Sequence, residues 1–166
     1  MELRDLYNIN KEKTGETIYS TQEVPENRYI LVELVLIQNY DGKILVQKRS
    51  KEKGGEYALT SGHAKSGETP LEGIITEIKE ELGIDVQPEE LQLIYSERDD
   101  IKRTFYDLFY VQKDYNISKM NLQKEEVEEV IWLQEDDIRA LCSNNNFKES
   151  HIEAFEIIIS KIKEME

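Results

Sequence analysis

Thr69-Pro70-Leu71-Glu72-Gly73-Ile74-Ile75-Thr76-Glu77-Ile78-Lys79-Glu80-Glu81-Leu82-Gly83 spells out a helix and both of its ends. Thr69 suits the N-cap, Pro70 the first helical position, and Glu72 completes a capping box with the threonine. Gly83 supplies the C-terminal stop. At about 100° per residue, Leu71, Ile74, Ile75, Ile78 and Leu82 cluster around one direction, which predicts the core-facing side. Measured from Leu71, Glu77, Glu80 and Glu81 fall near roughly 240°, 180° and 280°, so three carboxylates share a flank expected to point away from the core. No basic residue in the same turn lies between them, and like charges at this spacing repel by a few tenths of a kcal/mol per pair. A bound cation would relieve that repulsion. Alone, such a flank reads as a solvated acidic face.

The residues upstream change the weighing. Ser61-Gly62-His63-Ala64-Lys65-Ser66-Gly67-Glu68 joins an apolar strand to the acidic helix, and its two glycines permit a sharp turn and close approach of backbone to a ligand. Further out, residues 29–37 read as a long apolar strand, followed by an Asp41-Gly42 turn and a second strand over 43–48, which predicts a hairpin. Strands are also expected at 56–61, 91–96, 104–111 and 127–133. Helices are expected at 70–82, 135–141 and 149–163, the last with a stripe of Ile152, Phe155, Ile158, Ile159 and Ile162. Strands interspersed with helices indicate an α/β layered domain. With three prolines, eight glycines and no repeat, one domain over 1–166 is expected, residues 1–25 adding a strand pair packed on the core.

Composition narrows the partners. A net charge of −14, from 35 acidic and 21 basic side chains, argues against a broad grip on a nucleic acid polymer or an anionic membrane. An anionic substrate would need divalent cations as intermediaries, since clustered carboxylates attract hard cations that in turn take phosphate oxygens. The single cysteine, Cys142, forms no internal disulfide and fits a reducing cytoplasm. The charged start at Met1-Glu2-Leu3-Arg4-Asp5 lacks the apolar stretch of a secretory signal. For any oligomer, a symmetric homodimer is the default expectation.

Gly62, five residues, Glu68, seven residues, Thr76 and then Glu77-Ile78-Lys79-Glu80-Glu81-Leu82-Gly83-Ile84 resembles the Nudix box, Gly-x5-Glu-x7-Arg-Glu-U-x-Glu-Glu-x-Gly-U with U apolar. The match spans 23 positions, and the one departure is Thr76 in place of arginine. The resemblance, extending over roughly residues 29–140, implies the Nudix α/β/α sandwich with a mixed sheet. It implies Mg2+, or Mn2+ in its stead, held by Glu80, Glu81, Glu77 and the Ser61 backbone carbonyl. Glu77, Glu80 and Glu81 become the catalytic set; Gly62, Glu68 and Gly83 are structural. The implied reaction is hydrolysis of a small-molecule diphosphate, such as a nucleoside diphosphate linked to another moiety. The family arginine is expected to orient the adjacent glutamate by a charged hydrogen bond, which threonine cannot reproduce. That keeps Glu125, Glu126, Glu128 and Glu129 as alternative bases beside Glu77, although any one of them also reads as part of a solvated turn.

Lys48 and Arg49 end the second strand, where a cation could hold the distal phosphate; Arg49 is preferred for its planar donor fork. Either also suits a surface ion pair. His63 suits metal or phosphate by position and a polar loop by base rate. Glu33, inside an apolar strand, reads as the polar face of a half-exposed strand or as a carboxylate facing the site. Tyr57, Phe105, Tyr106 and Tyr110 could stack on a base but fit a sheet surface as well. The stretch from Tyr57 to Glu68 is also similar to isopentenyl diphosphate isomerase, which has Cys-Gly-His where this chain has Ser61-Gly62-His63; serine replaces the cysteine, and no histidine precedes His63 to serve as the further metal ligands of that enzyme. A nucleotide-sensing, non-catalytic Nudix module is the third reading, supported by Thr76.

Overall fold

A computed structural model describes residues 1–166. A seven-stranded mixed sheet lies between one helix on one face and two on the other, an α/β/α sandwich as the resemblance implied. Strand β3 (Ile30–Gln38) is its axis. Along one edge it pairs in parallel with β8 (Thr104–Gln112) over nine residues, Ile30 opposite Thr104 through Gln38 opposite Gln112. On its other edge it pairs antiparallel with β6 (Thr60–His63), setting Glu33 opposite Gly62. Beyond β8 lies β7 (Gln92–Asp99). The remaining strands, β4 (Ile44–Arg49), β5 (Tyr57–Ala58) and β9 (Val127–Leu133), form a second wing in which β4 pairs with both β5 and β9.

The expected hairpin is realised only at its turn. β3 and β4 share the single pair Gln38–Ile44 and then splay apart. β3 goes on to pair with β6 and β8, whereas β4 turns into the β5–β9 wing. Because alternation of apolar side chains describes a strand's faces and not its edges, the sequence pattern could not show this divergence.

Both faces of β3 are apolar because both are covered. Leu34 and Leu36 pack with Leu108 beneath α2 (Glu135–Ser143) and α3 (Glu149–Glu164), where Ile138, Phe155 and Ile158 are sealed from solvent. Val35 and Ile37 point the other way, against Ile74, Ile78 and Leu82 of α1 (Pro70–Leu82). Helix α1 carries the anticipated ends. Thr69 Oγ1 accepts from Glu72 N at 3.1 Å, Glu72 Oε1 accepts from Thr69 N at 3.0 Å, and Gly83 closes the helix at φ 71°.

Two helices sit on the sheet differently from the apolar-stripe reading. In α3 the buried positions are His151, Ala154, Phe155, Ile158, Ile159 and Ile162, with Ile152 only partly covered, so the stripe is rotated at its first turn to bring a histidine inward. In α1 the buried set includes Gly73 and Glu81. The ridge Gly73–Glu77–Glu81 leans on β3 and β6, where an outward flank was expected. Glycine makes this contact feasible. A Cβ on Gly62 would overlap the Glu77 carboxyl, and one on Gly73 would stand 2.5 Å from Glu33 Oε1.

Residues 1–19 contribute β1 (Leu3–Tyr7) and β2 (Lys13–Tyr19), an antiparallel pair bridged to the main body where Tyr7 and Tyr29 exchange backbone hydrogen bonds. β1 also clasps the loop before α1. Asp5 accepts from Ser66 Oγ at 2.8 Å and from Gly67 N at 2.9 Å, and Leu3 O accepts from Ser66 N. No helix is long and apolar enough to cross a membrane.

Candidate active site

A cleft of about 600 Å³ opens where the end of β6, the flank of α1 and the first turn of α3 meet. Ser61, Gly62, His63, Glu77, Glu80, Glu81 and Arg49 all line it. Of the residues weighed from sequence, Lys48 does not. Its ammonium pairs with Glu128 at 3.5 Å, because neighbouring residues of a strand point to opposite faces and Arg49 takes the cleft side. Of the four glutamates considered as alternative bases, Glu126 alone lines the cleft, paired with Lys53 at 3.3 Å.

The three helix carboxylates occupy three different environments. Glu80 is the outermost and accepts from Lys65 Nζ at 2.8 Å. Glu81 is 9% exposed and accepts from Gln47 Nε2 at 3.0 Å. Glu77 lies between Glu81 and the backbone of Gly62, and burial pushes its carboxyl well above the usual carboxylate range, with the hydrogen bond to Glu81 and that residue's charge adding to the effect. Burial raises Glu81 as well. Burial and mutual repulsion thus oppose two adjacent negative charges at Glu77 and Glu81.

Side-chain oxygens do not converge on one point as a ready-made metal cluster. Glu77 and Glu81 are drawn to each other and Glu80 to Lys65. The donor set nonetheless fits a hard divalent cation. It consists of oxygens only, and its neighbouring carboxylates lack a counter-charge that a bound cation would supply.

Behind the pair sits a further carboxyl. Glu33 is fully buried, neither oxygen has a hydrogen-bond partner, and burial, then the Glu77, Glu68 and Asp107 carboxylates, push it up to about 10. It is therefore neutral at physiological pH. Its place between Gly62 and Gly73 rules out the half-exposed polar strand face.

Histidines close the other side. His63 is held down to about 4 by burial, then by the charges of Arg4 and Lys148, and stays neutral. His151, which the helix stripe did not single out, is buried and held down to about 3 by burial, then by Lys148 and Arg49. Its Nδ1 accepts from Leu59 N at 3.2 Å, which leaves the ring proton on Nε2, 3.0 Å from Ser61 Oγ. The imidazole thus donates to the serine, and the Ser61 hydroxyl is free to donate onward. This polarity is opposite to that of a serine activated by a histidine base. Lys148 lies at the same end, held below its ordinary value by burial, then by the Arg49 guanidinium.

Residues 29–155 match the NUDIX domain family. The chain belongs to the Nudix family. An uncharacterized Nudix hydrolase of Listeria monocytogenes is 34% identical over 151 residues, covering 89% of this chain and 88% of the relative. Among solved structures, the Deinococcus radiodurans protein DR0079 superposes with a TM-score of 0.75 at 20% identity, over 94% of this chain and 97% of that one. A Francisella tularensis bifunctional NMN adenylyltransferase/ADP ribose pyrophosphatase, complexed with AMP and a manganese ion, superposes with a TM-score of 0.61 at 20% identity, over 80% of this chain and 42% of that one.

Within the Nudix box, Thr76 turns away from Glu77. Its Oγ1 lies 2.9 Å from Glu68 Oε2 and 3.0 Å from the Glu72 carbonyl oxygen. Glu68 also accepts from Lys65 N at 2.9 Å, so the threonine braces the loop that carries Gly62 and Lys65. Arg49 is bound to Glu56. Arg4 and Glu2, paired at 3.2 Å, reach the cleft from β1. Gln47, Lys148 and His151 had no local signal in the sequence, since each acquires its neighbours from segments far away in the chain. A histidine one residue before an apolar helix stripe was the one hint.

Proposed function

We infer that this chain is a divalent-metal-dependent hydrolase that cleaves the diphosphate bond of a nucleoside diphosphate linked to another moiety. The observation that carries this reading is that Glu77, Glu80 and Glu81 line one cleft with Ser61, Gly62 and Arg49, Glu77 packed against Gly62. Glu77, Glu80, Glu81 and the Ser61 carbonyl would hold Mg2+ or Mn2+. A divalent cation there supplies Lewis acidity at the phosphoryl oxygens and neutralises their charge.

The chain's own groups do the rest. Arg49 presents a planar fork to phosphate oxygens, exchanging part of its contact with Glu56. Ser61 donates its hydroxyl into the cleft, oriented by His151. Glu126 takes a proton from the attacking water, being the one later-loop glutamate that lines the cleft. Water oxygen bonds to one phosphorus, the bridging P–O bond breaks, and the leaving phosphate departs with the electron pair. Lys65 and Gln47 keep Glu80 and Glu81 in register.

The similarity to isopentenyl diphosphate isomerase, over residues 57–68, lacks the thiol of that enzyme. Ser61 brings a hydroxyl where that enzyme has a thiol, and its partner is a neutral imidazole. For the sensing module, Thr76 was the main argument, and its contact with Glu68 gives it a structural task compatible with turnover. The test is product analysis on a panel of diphosphates, ADP-ribose and an isoprenoid diphosphate included, with Mg2+, with Mn2+ and with chelator. Metal-dependent release of phosphate monoesters is expected. Double-bond migration, or binding without products, would replace this reading.

A further inference from the structure

Every lysine and arginine side chain but one either pairs with a carboxylate, donates to a backbone carbonyl, or stands exposed in water. Lys148 is the exception. It is half-buried, and its ammonium has neither an ion pair nor a hydrogen bond. Its ammonium faces the open spaces around it, so a half-buried cation without a carboxylate partner is available to an anionic ligand.

Its backbone is fixed. Lys148 N donates to Tyr57 O and Tyr57 N to Asn146 O, both at 2.8 Å, and Phe147 bridges to Tyr57 beside them. The side chain thus leaves a fixed point beside β5.

Lys148 is also where three adjoining spaces meet. One is the cleft with the box carboxylates, one is a recess of about 100 Å³ against Gln47 and Leu59, and the third is a chamber of about 550 Å³ between the β7–β8 strands and α3. Tyr106, Leu108, Ser150 and Ala154 are common to the cleft and the chamber, so the two are continuous. Arg49 shares the cleft and the recess with Lys148. Two cations side by side repel, and an anion placed against both removes that cost.

We propose that Lys148 is a phosphate-binding residue that sets the direction of the bound diphosphate, from the box carboxylates past its ammonium, with the organic arm running over Tyr106 into the chamber beside α3. This rests on the diphosphate-hydrolase reading above. Beyond Lys148 at its mouth, the chamber carries Glu97, Asp99, Glu149 and Glu153 against Lys102, so the arm it admits is uncharged or hydroxyl-bearing and not a further phosphate.

The test is calorimetric binding in Mg2+ of two non-hydrolysable probes, methylenediphosphonate, which has no arm, and α,β-methylene-ADP, which has one. Lys148→Ala is expected to weaken both by about tenfold to a hundredfold, the loss of one charge-assisted hydrogen bond, while Lys148→Arg stays within about threefold. Glu153→Trp, at an exposed position that lines the chamber and not the cleft, is expected to weaken α,β-methylene-ADP alone. Thermal melts of each variant separate lost binding from lost folding. Equal binding by the unmodified chain and Lys148→Ala overturns the role of Lys148. Equal losses for both probes, or for neither, in Glu153→Trp overturn the path of the arm. Failure of the unmodified chain to bind either probe overturns the diphosphate reading together with this one.

Discussion

Replacing Glu33 by glutamine removes a proton-binding site whose behaviour the structure specifies closely. The side chain is sealed, both oxygens lack partners, and the carboxyl is pushed up to about 10 from 4.5. In the unfolded chain the same group ionises near its ordinary value. An acid whose folded pKa is raised contributes stability that is complete below the unfolded pKa and is lost as pH climbs toward the folded one. Between about pH 5 and about pH 8 the unfolded form releases its proton and the native form keeps it, at about 1.36 kcal/mol per unit, so up to ~4 kcal/mol of stability disappears over that interval. Glutamine cannot ionise. It brings two N–H donors into a place without acceptors, a cost that shifts the whole curve without tilting it. Urea unfolding of both proteins at several pH values, with chelator present, gives the difference directly. The advantage of Glu33→Gln over the unmodified chain should grow with pH by several kcal/mol across the interval. A difference that is flat to within about 0.5 kcal/mol would show that Glu33 ionises in the folded protein and would refute the burial argument.

Other consequences are as direct. Gly62→Ala would drive its Cβ into the Glu77 carboxyl, so turnover should fall by about tenfold or more together with about 1–3 kcal/mol of stability, read by steady-state kinetics and denaturation. Thr76→Val removes the hydroxyl from Glu68 and should cost about 1 kcal/mol, with Thr76→Ser restoring most of it in the same unfolding assay. His151 is held down to about 3, so its native neutrality favours the fold above the ordinary histidine value and that contribution is lost as pH falls below about 6.5 toward the folded value; His151→Asn should flatten the acid limb of the stability curve measured by urea titration.

The helix that decides the fold was legible because its signals are local. Thr69, Pro70, Glu72 and Gly83 act on backbone groups within a few residues of themselves, and the near-continuous apolar run of β3 records two covered faces. Edges were not legible: nothing in 30–49 says that β3 leaves β4 after one pair and takes β8 in parallel. The site divides in the same way. Ser61, Gly62, His63, Glu77, Glu80 and Glu81 lie within one contiguous stretch, and the fold sets them around one cleft. The depth of Glu77 and Glu81 was missed because a helical wheel drawn from apolar residues cannot know that Gly62 and Gly73 let the acidic ridge approach the sheet. Lys148 and His151 come from the far end of the chain and gain their meaning from Tyr57, Leu59 and Ser61.

The measurement that bears most directly on the central claim is turnover of a diphosphate substrate with Mg2+ by the unmodified chain beside Glu81→Gln and Glu80→Gln. Glu81→Gln keeps the shape of the buried pair and removes a charge that a cation needs, so cleavage should fall by about a hundredfold or more, with Glu80→Gln losing less because its carboxylate stands at the outer edge. Unchanged metal-dependent cleavage in Glu81→Gln would contradict the placement of the reaction at this helix.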